Sequence, residues 1–173
     1  MRELVLTCGR CDKVIARDLA QFLYYFEIAY AASMKLHNSS PEILLSERQQ
    51  FLNSFPSILR AEVSKHSLDR LFHEEFNDRE LVLAKLSSEA PVTLSFVGWG
   101  TSLTAAALLT GGEVSLADNA IHAEIRSLAH ATAKLMSACG LHASPKAEPK
   151  KPRSRTLHGY HPTSSREPVM HGH

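Results

Sequence analysis

APVTLSFVGWGTSLTAAALLTGG, residues Ala90 to Gly112, runs 23 residues without a charge. As one helix at about 1.5 Å per residue it would approach the ~30 Å hydrocarbon core of a bilayer. Its composition argues for two shorter elements instead. Val92, Leu94 and Phe96 alternate with Thr93, Ser95 and Val97, which predicts a strand over Pro91–Val97. Gly98-Trp99-Gly100 permits a tight turn, Ser102 to Leu109 reads as a short buried Ala/Leu helix, and Gly111-Gly112 breaks it. A strand feeding a buried helix sets the class as α+β, and a membrane-inserting effector using residues 90–112 stands as the alternative.

Working back toward the N-terminus, Glu80 to Leu86 alternates as a strand, with Leu81, Leu83 and Lys85 on one side, after an Asn77-Asp78 turn. Residues 57–76, with Ile58, Leu59, Val63, Leu68, Leu71, Phe72 and Phe76, predict one or two helical pieces with a weak point at His66-Ser67. Ser40-Pro41-Glu42 supplies an N-cap serine, a proline at the first helical position and an acid in the first turn, which starts a helix to Phe55 that Pro56 should stop. The strongest periodicity lies earlier: Ile15, Leu19, Phe22, Phe26, Ala29 and Tyr30, with Leu23 alongside, predict an amphipathic helix from Val14 to Leu36. Arg2 to Cys8 reads as a first strand.

Toward the C-terminus, Ser115 reads as a cap for a last helix with Ile121, Ile125, Leu128, Thr132 and Leu135 on one face and Gly140 as its left-handed terminator. After Ala143 apolar periodicity stops. The last 31 residues hold five of the eight prolines and six Lys/Arg against two Asp/Glu, so +4 of a whole-chain +1 sits there and the body carries −3. The expected organisation is a helix-rich α+β domain over residues 1–142 with two or three strands, and a basic, Pro/His-rich disordered arm over 143–173. Near-neutral overall charge argues against a dedicated nucleic-acid binder.

Three cysteines make an odd count, and the first residues lack the basic start and long apolar run of an export signal. The expectation is a cytoplasmic chain with reduced thiols rather than a disulfide framework. Cys8-Gly9-Arg10-Cys11 and Cys139-Gly140-Leu141-His142 together offer three thiolates and an imidazole, a chemically complete tetrahedral zinc set. Zinc is the one cofactor that the spacing offers, and its convergence has to be assumed, so the main expectation is no cofactor. His122-Ala123-Glu124 carries the H-x-E half of the zinc deaminase signature without the P-C-x-x-C half, and reads as polar positions flanking a helical stripe. Gly98-Trp99-Gly100 lacks the third glycine of a dinucleotide fingerprint, and neither a phosphate-loop lysine motif nor a G-x-S-x-G elbow occurs.

Without a catalytic motif, the sequence points to a small binding or assembly module rather than an enzyme. Tyr24 and Tyr25, partly off the apolar stripe of the first long helix, and Trp99 in the glycine turn are the expected partner-binding residues, for a protein partner or self-association. Lys150, Lys151, Arg153 and Arg155 are the expected anion-binding residues, giving weak, salt-sensitive polyanion contact. A zinc-dependent enzyme or zinc-stabilised domain is the further alternative.

Overall fold

The computed structural model describes residues 1–10, 14–36, 40–65, 81–87 and 89–141. Met1–Ala143 forms a compact unit. The arm after Ala143, the pieces expected over 66–76 and the Asn77-Asp78 turn lie outside the described residues.

Five strands form one mixed sheet: β1 (Arg2–Cys8), β2 (Val82–Ser87), β3 (Val92–Gly98), β4 (Glu113–Ala117) and β5 (Ala120–Ile125). Their order is β2-β3-β1-β5-β4, with β1 at the centre. β1 runs antiparallel to β3 and parallel to β5, and both outer pairs are antiparallel. The described helices are α1 (Ala16–Leu36), α2 (Pro41–Ser46), α3 (Arg48–Lys65), α4 (Gly100–Leu109) and α5 (Leu128–Ala138). The class is α+β as expected, but with five strands among the described residues rather than two or three.

Alternation assigns the faces. Leu4, Leu6 and Cys8 of β1, Val92, Leu94 and Phe96 of β3, and Ile121, Ala123 and Ile125 of β5 are all buried and form the helix-side face. Phe26 of α1 stacks on Phe96 with ring centroids 4.9 Å apart, and Phe22 lies 5.4 Å from Phe26. Both α1 phenylalanines are fully buried, as their spacing requires. Ile15, expected on the same stripe, lies before the first turn of α1 and is exposed.

The uncharged stretch resolves into β3 and α4. Every residue from Ser102 to Thr110 is buried, because α4 is wedged between α1 and the sheet. A helix wrapped by protein on all sides has no polar face to display, which is why its sequence resembles a membrane segment. Among the described residues no helix is long and apolar enough to cross a membrane.

Two expectations about elements need correction. Pro56 does not stop a helix: the chain breaks earlier, at Glu47, and α3 then runs through Pro56 to Lys65. An interior proline costs ~3 kcal/mol. Phe51, Phe55, Leu59 and Val63, spaced by four on the buried side of α3, each return about 1.5–3 kcal/mol on burial and outweigh it. The start of α2 is as read, with the Ser40 hydroxyl accepting from the Ile43 N–H at 3.4 Å. There the Glu42 carboxyl is held below its usual range by its own backbone N–H, then by Ser40 and Arg2, whose Nη2 lies 2.8 Å away.

The second correction is larger. Residues 113–125 form a hairpin rather than the front of a long helix, and only Leu128–Ala138 is helical. Asp118 and Asn119 have φ of 50° and 61°, the left-handed pair of a two-residue type I′ turn, to which Asp and Asn are among the best suited residues. The helix that follows is capped by Ser127, whose hydroxyl accepts from the His130 N–H at 3.2 Å. It ends as expected: Gly140, at φ +76°, donates to Ser137 O while Leu141 donates to Met136 O, a Schellman closure.

Candidate functional site

The described helices pack on the face that carries Leu4, Leu94 and Ile121, and no described helix covers the second face, where Ser95 is nonetheless buried. Strand register places its side chains in rows. One runs Lys85, Ser95, Val5, His122, Ser115 from edge to edge, and the next runs Ser87, Thr93, Thr7, Glu124, Glu113. At the end of the sheet where β1 and β5 finish and β4 begins, a cleft of about 640 Å³ is lined by Thr7, Ser115, His122, Glu113, Glu124 and Arg48, among others. Glu113 and Glu124 are direct cross-strand partners, so two carboxylates stand side by side at its mouth. Arg48 is turned toward the backbone, with Nη2 donating to Gly112 O at 2.9 Å.

His122 and Glu124 are thus two residues apart on one face of a strand, not on a helix as expected. Among the described residues no group of three His, Cys, Asp or Glu side chains is arranged to hold a metal ion. Cys8 is disulfide-bonded, a correction to the expectation of reduced thiols, and its sulfur is no free thiolate. Cys139 is a free, buried thiol that desolvation pushes up to about 12. The structure does not bring these two together. Cys8 is in register with Ile125, just before α5, whereas Cys139 follows the other end of that helix, roughly 16 Å along its axis. Cys11 and His142 lie outside the described residues.

The expected partner-binding aromatics separate. Tyr24 is exposed on α1, whereas Tyr25, edge-on to it at 5.1 Å, packs against the core. Trp99 is 48% exposed in the β3–α4 turn. That turn is held from beneath: the Tyr30 hydroxyl accepts from the Trp99 N–H at 3.0 Å, and a Cβ on Gly98 would meet that hydroxyl at 2.8 Å. The glycine at 98 is therefore needed for close approach of a tyrosine. Lys150, Lys151, Arg153 and Arg155 lie outside the described residues.

A surface that sequence reasoning missed lies at the β2 edge. Leu83 and Leu86 are in register with the core residues Phe96 and Leu94, yet they are 39% and 45% exposed; Val82, opposite Val97 on the other face, is 47% exposed. The described helices pack mainly over β1, β4, β5 and one another, with Phe26 of α1 on Phe96 of β3, and the main neighbour of β2 is β3. Alternation identified the strand, but its place at the edge depends on pairings distant in sequence. No family model, curated protein or solved structure matches the chain.

Proposed function

We propose that this domain is a binding and assembly module that docks an extended polypeptide strand along the outer edge of β2. The observation that carries this reading is the exposure of Val82, Leu83 and Leu86 on both faces of an edge strand. An edge offers a row of backbone donors and acceptors, and strand addition satisfies them while flanking apolar side chains supply specificity. A single charge, Lys85, interrupts the strand. On the aromatic helix Tyr24 is exposed but every residue from Ile28 to Ser33 is buried, so the helix offers less apolar surface to a partner than the β2 edge does.

The test uses a synthetic peptide with the chain's own Leu81–Ser87 sequence as probe. Saturable binding to the full chain is expected, with loss in the Leu83→Lys/Leu86→Lys double variant. Both positions are substantially exposed, so the variant should retain its fold, which circular dichroism checks. Absence of binding at millimolar peptide overturns the reading.

A further inference from the structure

We propose that the strand docked on β2 is the β2 of a second copy of this chain, antiparallel and in the register that sets 82 opposite 87, 83 opposite 86 and 84 opposite 85. This rests on the reading of the β2 edge above and names its partner.

The faces of β2 carry the inference. In antiparallel pairs, opposed residues share a face. Leu83 and Leu86 pair with Phe96 and Leu94 and so lie on the helix side, while Val82, Lys85 and Ser87 pair with Val97, Ser95 and Thr93 and lie on the opposite side. Residues 83 and 86 share a face only because the register shifts between Leu83 and Lys85, at Ala84. An unbroken six-residue strand could not pair end to end with itself about a two-fold axis, since each residue would meet one from the opposite face. With the shift at Ala84, Leu83 meets Leu86 on the helix side and Val82 meets Ser87 on the opposite side, each twice by symmetry.

The same register settles the charge. Each Lys85 stands opposite an Ala84 rather than the other Lys85, which avoids the directly opposed like pair that destabilises a sheet. A net chain charge of +1 leaves little long-range repulsion between copies. The four leucines continue the apolar row of Leu94 and Phe96 across the junction, covering side chains that the helices leave open. The opposite edge is less suited, because β4 is five residues long, starts at Glu113 and runs into Asp118. A strand pairing this short sits at the low end of interface size, so the dimer should be weak and concentration-dependent.

The experiment is sedimentation velocity on the full chain over a wide concentration range, followed by oxidative cross-linking of cysteine variants. The expected results are a doubling of mass at high concentration and, for Leu83→Cys mixed with Leu86→Cys, disulfide-linked dimer forming several-fold faster than in either variant alone. Wild type controls for the native cysteines, and its sedimentation needs no substitution. A chain that stays monomeric throughout while the β2 peptide binds overturns the second-copy partner and leaves strand docking standing. Dimers that cross-link equally in single and mixed variants overturn the register.

Discussion

Tyr30 and Gly98 should be energetically coupled, because one hydroxyl group serves the turn and fills the space a side chain at 98 would need. Tyr30 is 2% exposed, and its hydroxyl accepts from the Trp99 N–H at 3.0 Å. Tyr30→Phe removes that acceptor from a partly buried amide, which costs about 1–3 kcal/mol. Gly98→Ala places a methyl group 2.8 Å from the hydroxyl oxygen and 3.1 and 3.2 Å from two ring carbons. Overpacking of this kind costs about 1–3 kcal/mol, offset by the roughly 0.5–1 kcal/mol that alanine gains over glycine inside a strand. In the double variant the closest of these contacts is absent, and the hydrogen bond that the methyl would strain is already gone. The two costs should therefore fall short of additive by at least ~0.5 kcal/mol. Urea denaturation of wild type, both single variants and the double variant closes the cycle, provided the m-value is unchanged. Costs that add within that margin would refute the idea that the hydroxyl is what excludes a side chain at 98.

Phe22→Ala and Phe26→Ala should each lose about 3–5 kcal/mol by chemical denaturation, whereas Tyr24→Ala, at a 38% exposed position on the same helix, should lose under ~1 kcal/mol; the reverse order would misplace the buried face of α1. Glu113→Gln should raise stability by ~0.2–1 kcal/mol at neutral pH by removing the like charge opposite Glu124, with a smaller gain in high salt, and an unchanged or lower melting temperature contradicts this. The Cys139 thiol is raised from 9.0 to about 12 by burial, so the folded state holds its proton more tightly than the unfolded chain does. That contribution is fully present below pH 9 and is lost as pH rises toward 12, by up to ~1.4 kcal/mol per unit. Cys139→Ala should flatten the alkaline part of the stability profile by that amount, and a parallel profile counts against a buried neutral thiol.

What could be read from the chain divides by the range of the interactions that decide it. Ser40 before Pro41 and Gly140 after α5 act within four or five residues, so their chemistry is visible locally. Phe22 and Phe26 announce their burial because a helix returns to the same face every three to four residues. The β4–β5 hairpin escaped because Ile121, Ile125 and Leu128 fit a helical face as well as they fit an alternating strand followed by a capped helix. The local tie-breaker was Asp118-Asn119, two residues that tolerate positive φ, in the only place where a two-residue turn would put Val114 and Leu116 on the same face as Ile121 and Ala123. Once the turn is assigned, His122, Glu124, Glu113 and Ser115 fall on the opposite face, and the cleft follows from the pairing. Pro56 escaped for a different reason, since its cost is local whereas the burial of Phe51, Phe55, Leu59 and Val63 depends on the elements they meet.

The β2 edge is the extreme case of that dependence. Val82, Leu83 and Leu86 have the composition of a core strand, and within the strand only Lys85 hints at an edge. Their exposure follows from two remote facts: β1 pairs with β5 on one side and β3 on the other, which pushes β2 outward, and the described helices pack mainly over the other strands. A core-like strand that topology leaves at an edge needs either a device that keeps other strands away or a strand that belongs there. Lys85 and the register shift at Ala84 are such devices when the incoming strand is out of phase. Against a second β2 in the two-fold register they become its specification, since the shift aligns the leucines and the lysines miss each other. One short segment can thus refuse most strands and accept its own copy, a form of discrimination that requires both the apolar side chains and the interruption between them.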